Sequence, residues 1–465
     1  MGWTTLHIPV DTDASAGRLL AALAPNADAV LLHSGIGDTA RGQRSIIALE
    51  LAPAAQATRD TVLVFNDKGS PAVLPHGPRP MARLDQTFAR DRRGRACTGR
   101  PSLGWIGYLA WEAAHLCDPA IPPPDVELPF PALRFDRVRA ALVLPPEGGP
   151  RDTPQPTLIV EGETEHAARV RAERWAHFLA HLPPEPPPGP LPTVVSAPDD
   201  EHYRDGVRRI RSFIRDGRVY QACLTTPFRL LPPPPGPARL ALARTLREAS
   251  PGDYAFHLRM GPLEVLSTSP EQFLRVRGNR ITTRPMKGTR PRAGEDDLET
   301  AGQLATAQKD RAENLMIVDL LRNDLNRVCV PGSVVVPRLF EVETYRTVFQ
   351  MTSTIEGDLL PGTGPFAILE AVFPPGSMSG APKIEALAVL RELEPDPRGL
   401  YAGAVGWIGY DGDMDLGVVI RSLQIVGDDA RWDVGGGIVW ESTPEDEWRE
   451  ALAKARPIGI DAPES

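Results

Sequence analysis

The sequence predicts a large globular body of mixed strands and helices, on three observations. Short apolar runs bounded by turn residues recur along the whole chain, amphipathic helical patterns lie between them, and one tight hairpin signal falls past the middle. At 465 residues the chain exceeds one ordinary domain, so two domains or one unusually large one are expected, and 42% hydrophobic with 24% charged residues suits a soluble protein with ample material for a core.

The runs "AVLLHSG", "DTVLVF", "RAALVLP" and "TLIVEGE" read as strands and are followed by a helical pattern, "EHAARVRAERWAHFLAHL". "PPEPPPGPLP", Pro183 to Pro192, suits neither a helix interior nor a central strand and reads as an extended segment. It divides the chain into an N-terminal region, 1–182, a proline-rich linker, 183–198, and a C-terminal region, 199–460. Beyond it, "DEHYRDGVRRIRSFIRDG" predicts a helix with Tyr203, Val207, Ile210 and Ile214 on one face and a stop at Gly217. "LEVLSTSPEQFLRV" and "RITTRPMKG" read as strands joined by "RGN", whose Gly278 and Asn279 suit a tight turn. Folding that hairpin about Asn279 sets Glu271 opposite Lys287, within one residue of register.

Charge excludes several classes of function. A net charge of −9 without a sustained basic stretch argues against nucleic acid as a partner. No apolar run reaches membrane-spanning length and the N-terminus lacks signal-peptide features, so no membrane partner and a cytoplasmic location are expected. The cysteines, Cys97, Cys117, Cys223 and Cys329, lie far apart and predict buried thiols rather than disulfides or a zinc site; none sits in a G-x-C-x-G nucleophile setting.

Lysine stands at only five positions, Lys68, Lys287, Lys309, Lys383 and Lys454, and arginine supplies every other basic charge. A chain that favours arginine so strongly keeps lysine where a guanidinium cannot substitute, because only an amine readily loses its proton to act as nucleophile or base. Lys287, inside "RPMKGTRPR", is therefore a candidate catalytic residue.

Carboxylates point to a cation. In "KDRAENLMIVDLLRNDLNRV", a predicted helix, Asp310 and Glu313 share a face. "STPEDEWREALAKA" opens a second helix with Thr443 as N-cap and Pro444 at its first position; Glu447 and Glu450 share a face, with Lys454 one turn on. Glu445 and Asp446 complement the helix dipole. Two helices with paired carboxylates suit a hard cation that keeps some of its water, which points to Mg2+. "VGGGIVW" offers bare backbone at Gly435 and Gly436, or simply a turn or bulge, and "GSMSGAPK" offers hydroxyls and N–H groups to an anion. From the residues alone this describes an anion-binding, magnesium-dependent enzyme whose chemistry stays open.

Taken together, "GRVYQACL", "LSTSPEQFL", "TRPMKGTRPR", "KDRAENLMIVDLLRNDL", "FPPGSMSGAPKIEAL", "RGLYAGAVGWIGYDG", "VVIRS" and "GGGIVWESTPEDEWREALAKA" resemble, in family order over 200–455, the chorismate-utilising enzymes. That family includes anthranilate synthase component I, aminodeoxychorismate synthase component I, isochorismate synthase and salicylate synthase. "LLHSG" and "GWIGYLAWE" resemble more weakly the region that forms a tryptophan pocket in relatives.

The resemblance implies a single α+β fold like that of anthranilate synthase component I, with two large antiparallel sheets packed as a sandwich and helices outside. It places magnesium between Glu313 and Glu450, with Asp310 and Glu447 in a second rank or on bridging waters. It assigns substrate contacts to Tyr401, Arg421, Lys454, Gly435, Gly436, Ser377 and Gln221. Gln221 stands where water-adding members carry a lysine base, and an amide cannot deprotonate water at neutral pH. Lys287 matches the aminodeoxychorismate synthases, whereas anthranilate synthases have alanine there. The implied reaction converts chorismate and ammonia to 4-amino-4-deoxychorismate, on the route to p-aminobenzoate and folate. Glu271 serves as general acid and Lys287 as covalent nucleophile at C2, with Arg284, Arg290 and the cation favouring its neutral form. Ammonia would come from a separate glutamine amidotransferase subunit. Two other readings stay open: an anthranilate-type chorismate aminase, and a non-catalytic relative that binds chorismate or an amidotransferase in a regulatory role.

The pattern departs at three places. Gln350, preceded by Phe349, replaces a usual histidine, Cys223 stands where asparagine is common, and Thr226 with Pro227 replaces a glutamine and arginine, so the ladder around Pro227 is expected to differ.

Overall fold

The computed structural model describes residues 3–460 apart from 11, 13–14, 24–26, 34–44, 75–79, 96–101, 146–154, 293–296 and 346–347. Cys97 and the last two residues of "LLHSG" lie outside the described residues.

Two long strands, Ser45–Ala57 and Leu133–Leu144, pair antiparallel along their length and form the spine of the fold. The register shifts three times along this pair, once beside Pro53, which has no N–H for the ladder. The pair also hands its edges to different neighbours at its two ends. One arm runs from the start of Leu133–Leu144 through Gly104–Leu109, Ala404–Gly409, Met414–Val418, Gln272–Arg277, Arg280–Arg284 and Val348–Asp358. The other runs from the start of Ser45–Ala57 through Ala29–His33, Tyr254–Met260, Leu263–Ser269, Ser422–Val426, Asp429–Ile438 and Gln221–Leu231.

Among the described residues the expected antiparallel sheets are thus present as two arms of one hydrogen-bonded network of 22 strands. They are not separate sheets, because the shifted spine pair belongs to both. Ile106, Tyr108 and Val405 of the first arm pack against Phe256, Leu258 and Val265 of the second in a shared core. Helices cover the outer faces. Pro80–Arg92, Gln308–Asn326 and Pro365–Val372 lie on the first arm, and Asp200–Arg215, Lys383–Leu393 and Pro444–Ala453 on the second.

Local signals read from the sequence have visible counterparts. Asp200–Arg215 buries Tyr203, Val207 and Ile210, and Gly217 follows it with a φ of +76°. The hairpin turn uses Gly278 at φ +62°, which favours a residue without Cβ. Thr443 caps Pro444–Ala453 by accepting from the Asp446 N–H at 3.2 Å. Cys117, Cys223 and Cys329 are buried free thiols.

Residues 183–192 carry no helix or strand but are pinned: Glu185 accepts from Ser15 Oγ at 2.8 Å, and the Gly189 N–H donates to the Ala241 carbonyl at 3.1 Å. Thr193–Ser196 then pairs with Gln221–Leu231. Strands before and after this segment also pair with each other, as Ala29–His33 does with Tyr254–Met260. The expected disturbance at Pro227 is absent from one side of its strand, since Ala222–Leu230 pairs with Ala430–Ile438 without a register shift. Among the described residues no helix is long and apolar enough to cross a membrane.

Candidate active site

The hairpin is shorter than its sequence pattern suggested. Gln272 pairs with Arg284, and the next residue is Pro285, which has no N–H to continue the ladder. The strand Met286–Pro291 pairs instead with Val348–Asp358. Lys287 therefore does not stand opposite Glu271 in a ladder. It reaches the Glu271 carboxyl through space, close enough for the two charges to interact.

Glu271 is 5% exposed. Burial pushes its carboxyl up to about 7, against a hydrogen bond from Ser377 and the positive charges of Lys287 and Arg421. A carboxyl tuned to this range can hold a proton at neutral pH and release it to a leaving group.

Among the described residues the Lys287 amine makes no hydrogen bond and no ion pair within 4 Å, yet its charge acts on Glu271, Glu313 and Glu450. Its place is set by Gly437, where a Cβ would stand 3.0 Å from Lys287 Nζ and overlap Gln221 Nε2. Gln221 is fully buried, and among the described residues neither its amide oxygen nor its nitrogen has a partner. A buried amide with unused donors and acceptor is costly unless something binds it.

The three glycines have different reasons. A side chain at Gly435 would overlap the Leu224 carbonyl of the neighbouring strand, so close strand approach requires glycine there. At Gly436 a Cβ would stand 2.8 Å from Glu447 Oε2 and 3.7 Å from Glu450 Oε1, and at Gly437 it would enter the space of Lys287. The Gly435 carbonyl accepts from Lys454 Nζ at 2.5 Å, and Lys454 also holds Glu450 at 2.9 Å. Gly435 and Lys454 are thus tied to each other.

The carboxylates expected to hold a cation converge from two helices. Burial pushes Glu313 up, while Lys454 holds Glu450 down to about 2. Glu447 accepts from Ser442 Oγ at 2.6 Å and is 2% exposed. Asp310 accepts from Arg290 at 2.6 Å. Among the described residues no three His, Cys, Asp or Glu side chains form a ready-made metal cage.

Arg284 and Arg290 were expected to favour a neutral Lys287. The structure gives each of them a carboxylate partner, Glu343 for Arg284 and Asp310 for Arg290, so neither is an unpaired positive charge beside the amine.

Arg421 is different. It takes a left-handed backbone, φ +48°, which is strained for a residue with a Cβ, and its carbonyl accepts from the Thr268 N–H at 3.0 Å. Among the described residues its guanidinium makes no hydrogen bond, and its burial disfavours the charged form. A half-buried guanidinium without a hydrogen bond is a ready receptor for a carboxylate. Tyr401 is 4% exposed on the loop leading into Ala404–Gly409. Glu112, in "GWIGYLAWE", fixes that loop by accepting from the Arg398 and Gly399 N–H groups at 2.8 and 3.2 Å.

Three residues beside the site, Gln350, Arg398 and Lys309, were given no positioning role from the sequence. Gln350 donates to the Gly288 carbonyl at 2.9 Å and accepts from Thr289 Oγ1 at 2.7 Å, so it pins the strand carrying Lys287. Arg398, 2% exposed, reaches the carbonyls of Met378 at 2.9 Å and Cys223 at 2.6 Å, joining the Ser377 turn to the Gln221 strand. Lys309 faces Glu313 and Glu447, and the scarcity of lysine was the signal that could have found it.

The chorismate binding enzyme family matches residues 39–459. The chain belongs to that family. Aminodeoxychorismate synthase of Streptomyces griseus is 40% identical over 384 residues, covering 77% of this chain and 50% of the relative. The chain thus spans half the length of that relative. Anthranilate synthase component 1 of Methanothermobacter marburgensis is 40% identical over 440 residues, 92% of this chain and 88% of its own. In three dimensions this chorismate binding enzyme superposes on anthranilate synthase component I from Streptococcus pneumoniae TIGR4 with a TM-score of 0.75, at 26% identity and over 92% of this chain and 94% of the other.

Proposed function

We propose that this chain aminates chorismate at C4 to 4-amino-4-deoxychorismate in the cytoplasm, as an aminodeoxychorismate synthase component I, with ammonia supplied by a glutamine amidotransferase on a separate chain. The observation that carries this reading is the free amine of Lys287 among Glu271, Glu313 and Glu450. A covalent nucleophile has to be unbonded and within reach of the acid that assists the leaving group. Lys383 and Lys454, by contrast, are held by several acceptors. The 40% identity to the Streptomyces griseus relative supports the same choice within the family.

The residues divide the work as follows. Arg421 binds a carboxylate of chorismate, and Tyr401 is assigned a second substrate contact by the family resemblance. Lys287 Nζ forms a bond to C2 as the ring double bonds shift and the C4–O bond breaks; Glu271 gives its proton to that oxygen, which leaves as water. Ammonia then bonds to C4, the double bonds shift back, and the C2–N bond to Lys287 breaks. The Glu271 carboxylate takes back one proton from the new ammonium group, which restores the acid. Gln221, beside the Lys287 amine, offers its amide to the nitrogen groups at this step.

Magnesium fits the donor set. All the donors are oxygens; Glu447 and Asp310 are hydrogen-bonded to Ser442 and Arg290, Glu450 is held on one oxygen by Lys454, and Glu313 and Glu450 lie close enough on separate helices for their charges to interact. Magnesium keeps several waters and needs only one or two carboxylates besides the substrate, so a three-ligand cage is not required. Bound there, it would supply positive charge that holds the ring carboxylate of chorismate.

The deciding experiment is mass-spectrometric product analysis after incubation with chorismate, Mg2+ and excess ammonium at mildly alkaline pH. Aminodeoxychorismate that depends on Lys287 is expected. Anthranilate as the product would move the chain to the other aminating branch. Chorismate that stays unconverted even with an amidotransferase present would favour the silent binding protein.

A further inference from the structure

Lys309 is the second residue of the helix Gln308–Asn326, four residues before Glu313. Its Nζ lies 4.0 Å from Glu313 Oε1 and 3.9 Å from Glu447 Oε1, so it spans two helices. The lysine side chain is 52% exposed, whereas those of Glu313 and Glu447 are 16% and 3% exposed. Both separations exceed hydrogen-bond length, so the amine is held by charge rather than by fixed geometry. Its long unbranched stem can carry the ammonium into solvent without moving the backbone. Lys454 and Lys383, pinned at 2.5–3.0 Å to several acceptors, lack that freedom.

Carboxylates on facing helices repel one another when no cation lies between them, and like charges push up the pKa of whichever is buried. Glu313 faces Glu450 and Asp310, and Glu447 faces Glu450. Lys287 and Lys454 relieve part of that repulsion from inside the site, and Lys309 does so from its half-exposed rim.

We propose that Lys309 is a tethered counter-ion: lying between Glu313 and Glu447, it stands in for the divalent cation that Glu313 and Glu450 would hold, and it swings to solvent when the cation binds. The proposal rests on the magnesium reading above. Its consequence is that Lys309 lowers the intrinsic affinity of the site for a cation while holding the two acidic helices together before one arrives.

The test is Mn2+ binding by the full chain, followed by electron paramagnetic resonance without chorismate, for the native protein, Lys309→Met and Glu313→Gln. Lys309→Met is expected to bind about five-fold more tightly, the scale of losing two partly exposed ion pairs as competitors. In chelator its Tm should fall below the native value, and saturating Mg2+ should close that gap. Glu313→Gln should lose the binding. Native binding that Lys309→Met leaves unchanged or weakens overturns the counter-ion role alone. A native protein that binds no Mn2+ overturns the magnesium reading and the counter-ion role with it.

Discussion

The amine of Lys287 and the side-chain amide of Gln221 meet over the same bare α-carbon, that of Gly437. The two residues lie on strands far apart in the chain, and the missing side chain between them is what lets both reach one point. Gly437→Ala would place a methyl group 3.0 Å from Lys287 Nζ and on top of the Gln221 amide nitrogen. Stability should fall by about 1–3 kcal/mol from overpacking. Turnover should fall about a hundred-fold because the nucleophile is displaced. A Gly437→Ala protein with native kcat would show that this point is not where chemistry occurs.

Lys287→Ala should remove the covalent intermediate. Rapid quenching of enzyme with chorismate and no ammonium, followed by intact-protein mass measurement, should show an adduct in the native chain and none in the variant. Because the amine makes no hydrogen bond among the described residues, its removal should leave Tm within a few degrees of native. An adduct of undiminished yield in the variant would place the nucleophile elsewhere.

Glu271 predicts opposite effects on rate and stability. Its folded carboxyl holds a proton up to about 7, against 4.5 for an ordinary glutamic acid. Between those values the folded state binds more protons than the unfolded one, so the contribution of this group to stability declines as pH rises through that window. Above it the penalty is complete, on the order of 3 kcal/mol. Glu271→Gln should therefore raise Tm at pH 8 and not at pH 4, while product formation collapses. In the native enzyme kcat should fall as pH rises through about 7, when the acid loses its proton. A lower Tm for Glu271→Gln at pH 8 would contradict the assignment.

Arg421 combines an unengaged guanidinium with a left-handed backbone. Arg421→Met should raise the Kd for chorismate about a hundred-fold, the scale of a lost charge-assisted pair. Arg421→Gly should weaken binding equally and recover about 1 kcal/mol of backbone strain. Calorimetric titration with chorismate and thermal melts check both, and an unchanged Kd in Arg421→Met would remove Arg421 from the substrate site.

Lys383 should behave as the counterpart of Lys287. It donates to Asp324 at 2.6 Å and to the carbonyls of Val372 and Pro374 at 2.8 and 3.0 Å. Lys383→Met strands the buried Asp324 carboxylate and should cost about 3–5 kcal/mol in denaturant melts. The folded fraction should still form the adduct with chorismate. A stable Lys383→Met protein that forms no adduct would give Lys383 a part in the chemistry.

Several structural features could be read along the chain because they are local. The Thr443 cap, the turn at Gly278 and the apolar face of Tyr203, Val207 and Ile210 each depend on residues a few positions apart. The scarcity of lysine also carried information, since Lys287, Lys309 and Lys454 all stand among the same carboxylates. The hairpin reading failed where one residue overrode the pattern: Pro285 has no N–H for the ladder, so the strand carrying Lys287 pairs elsewhere. The arginines near Lys287 misled for a related reason, because their partners Glu343 and Asp310 come from distant segments.

The sequence by itself determined which chemical groups are available: one amine in a strand of arginines, a carboxyl before the hairpin, acids at helical spacing and a glycine triplet. Only the tertiary structure decided which of these groups are free. Among the described residues the side chains of Lys287 and Arg421 make no hydrogen bond, whereas those of Lys454, Lys383, Arg284 and Arg290 are engaged. The physical reason is that propensity, capping and periodicity act over a few residues, whereas the burial and pairing of a charge depend on segments brought together by the two arms of the sheet. In this chain that separation lies between a lysine held as structure and a lysine left unbonded beside a buried acid.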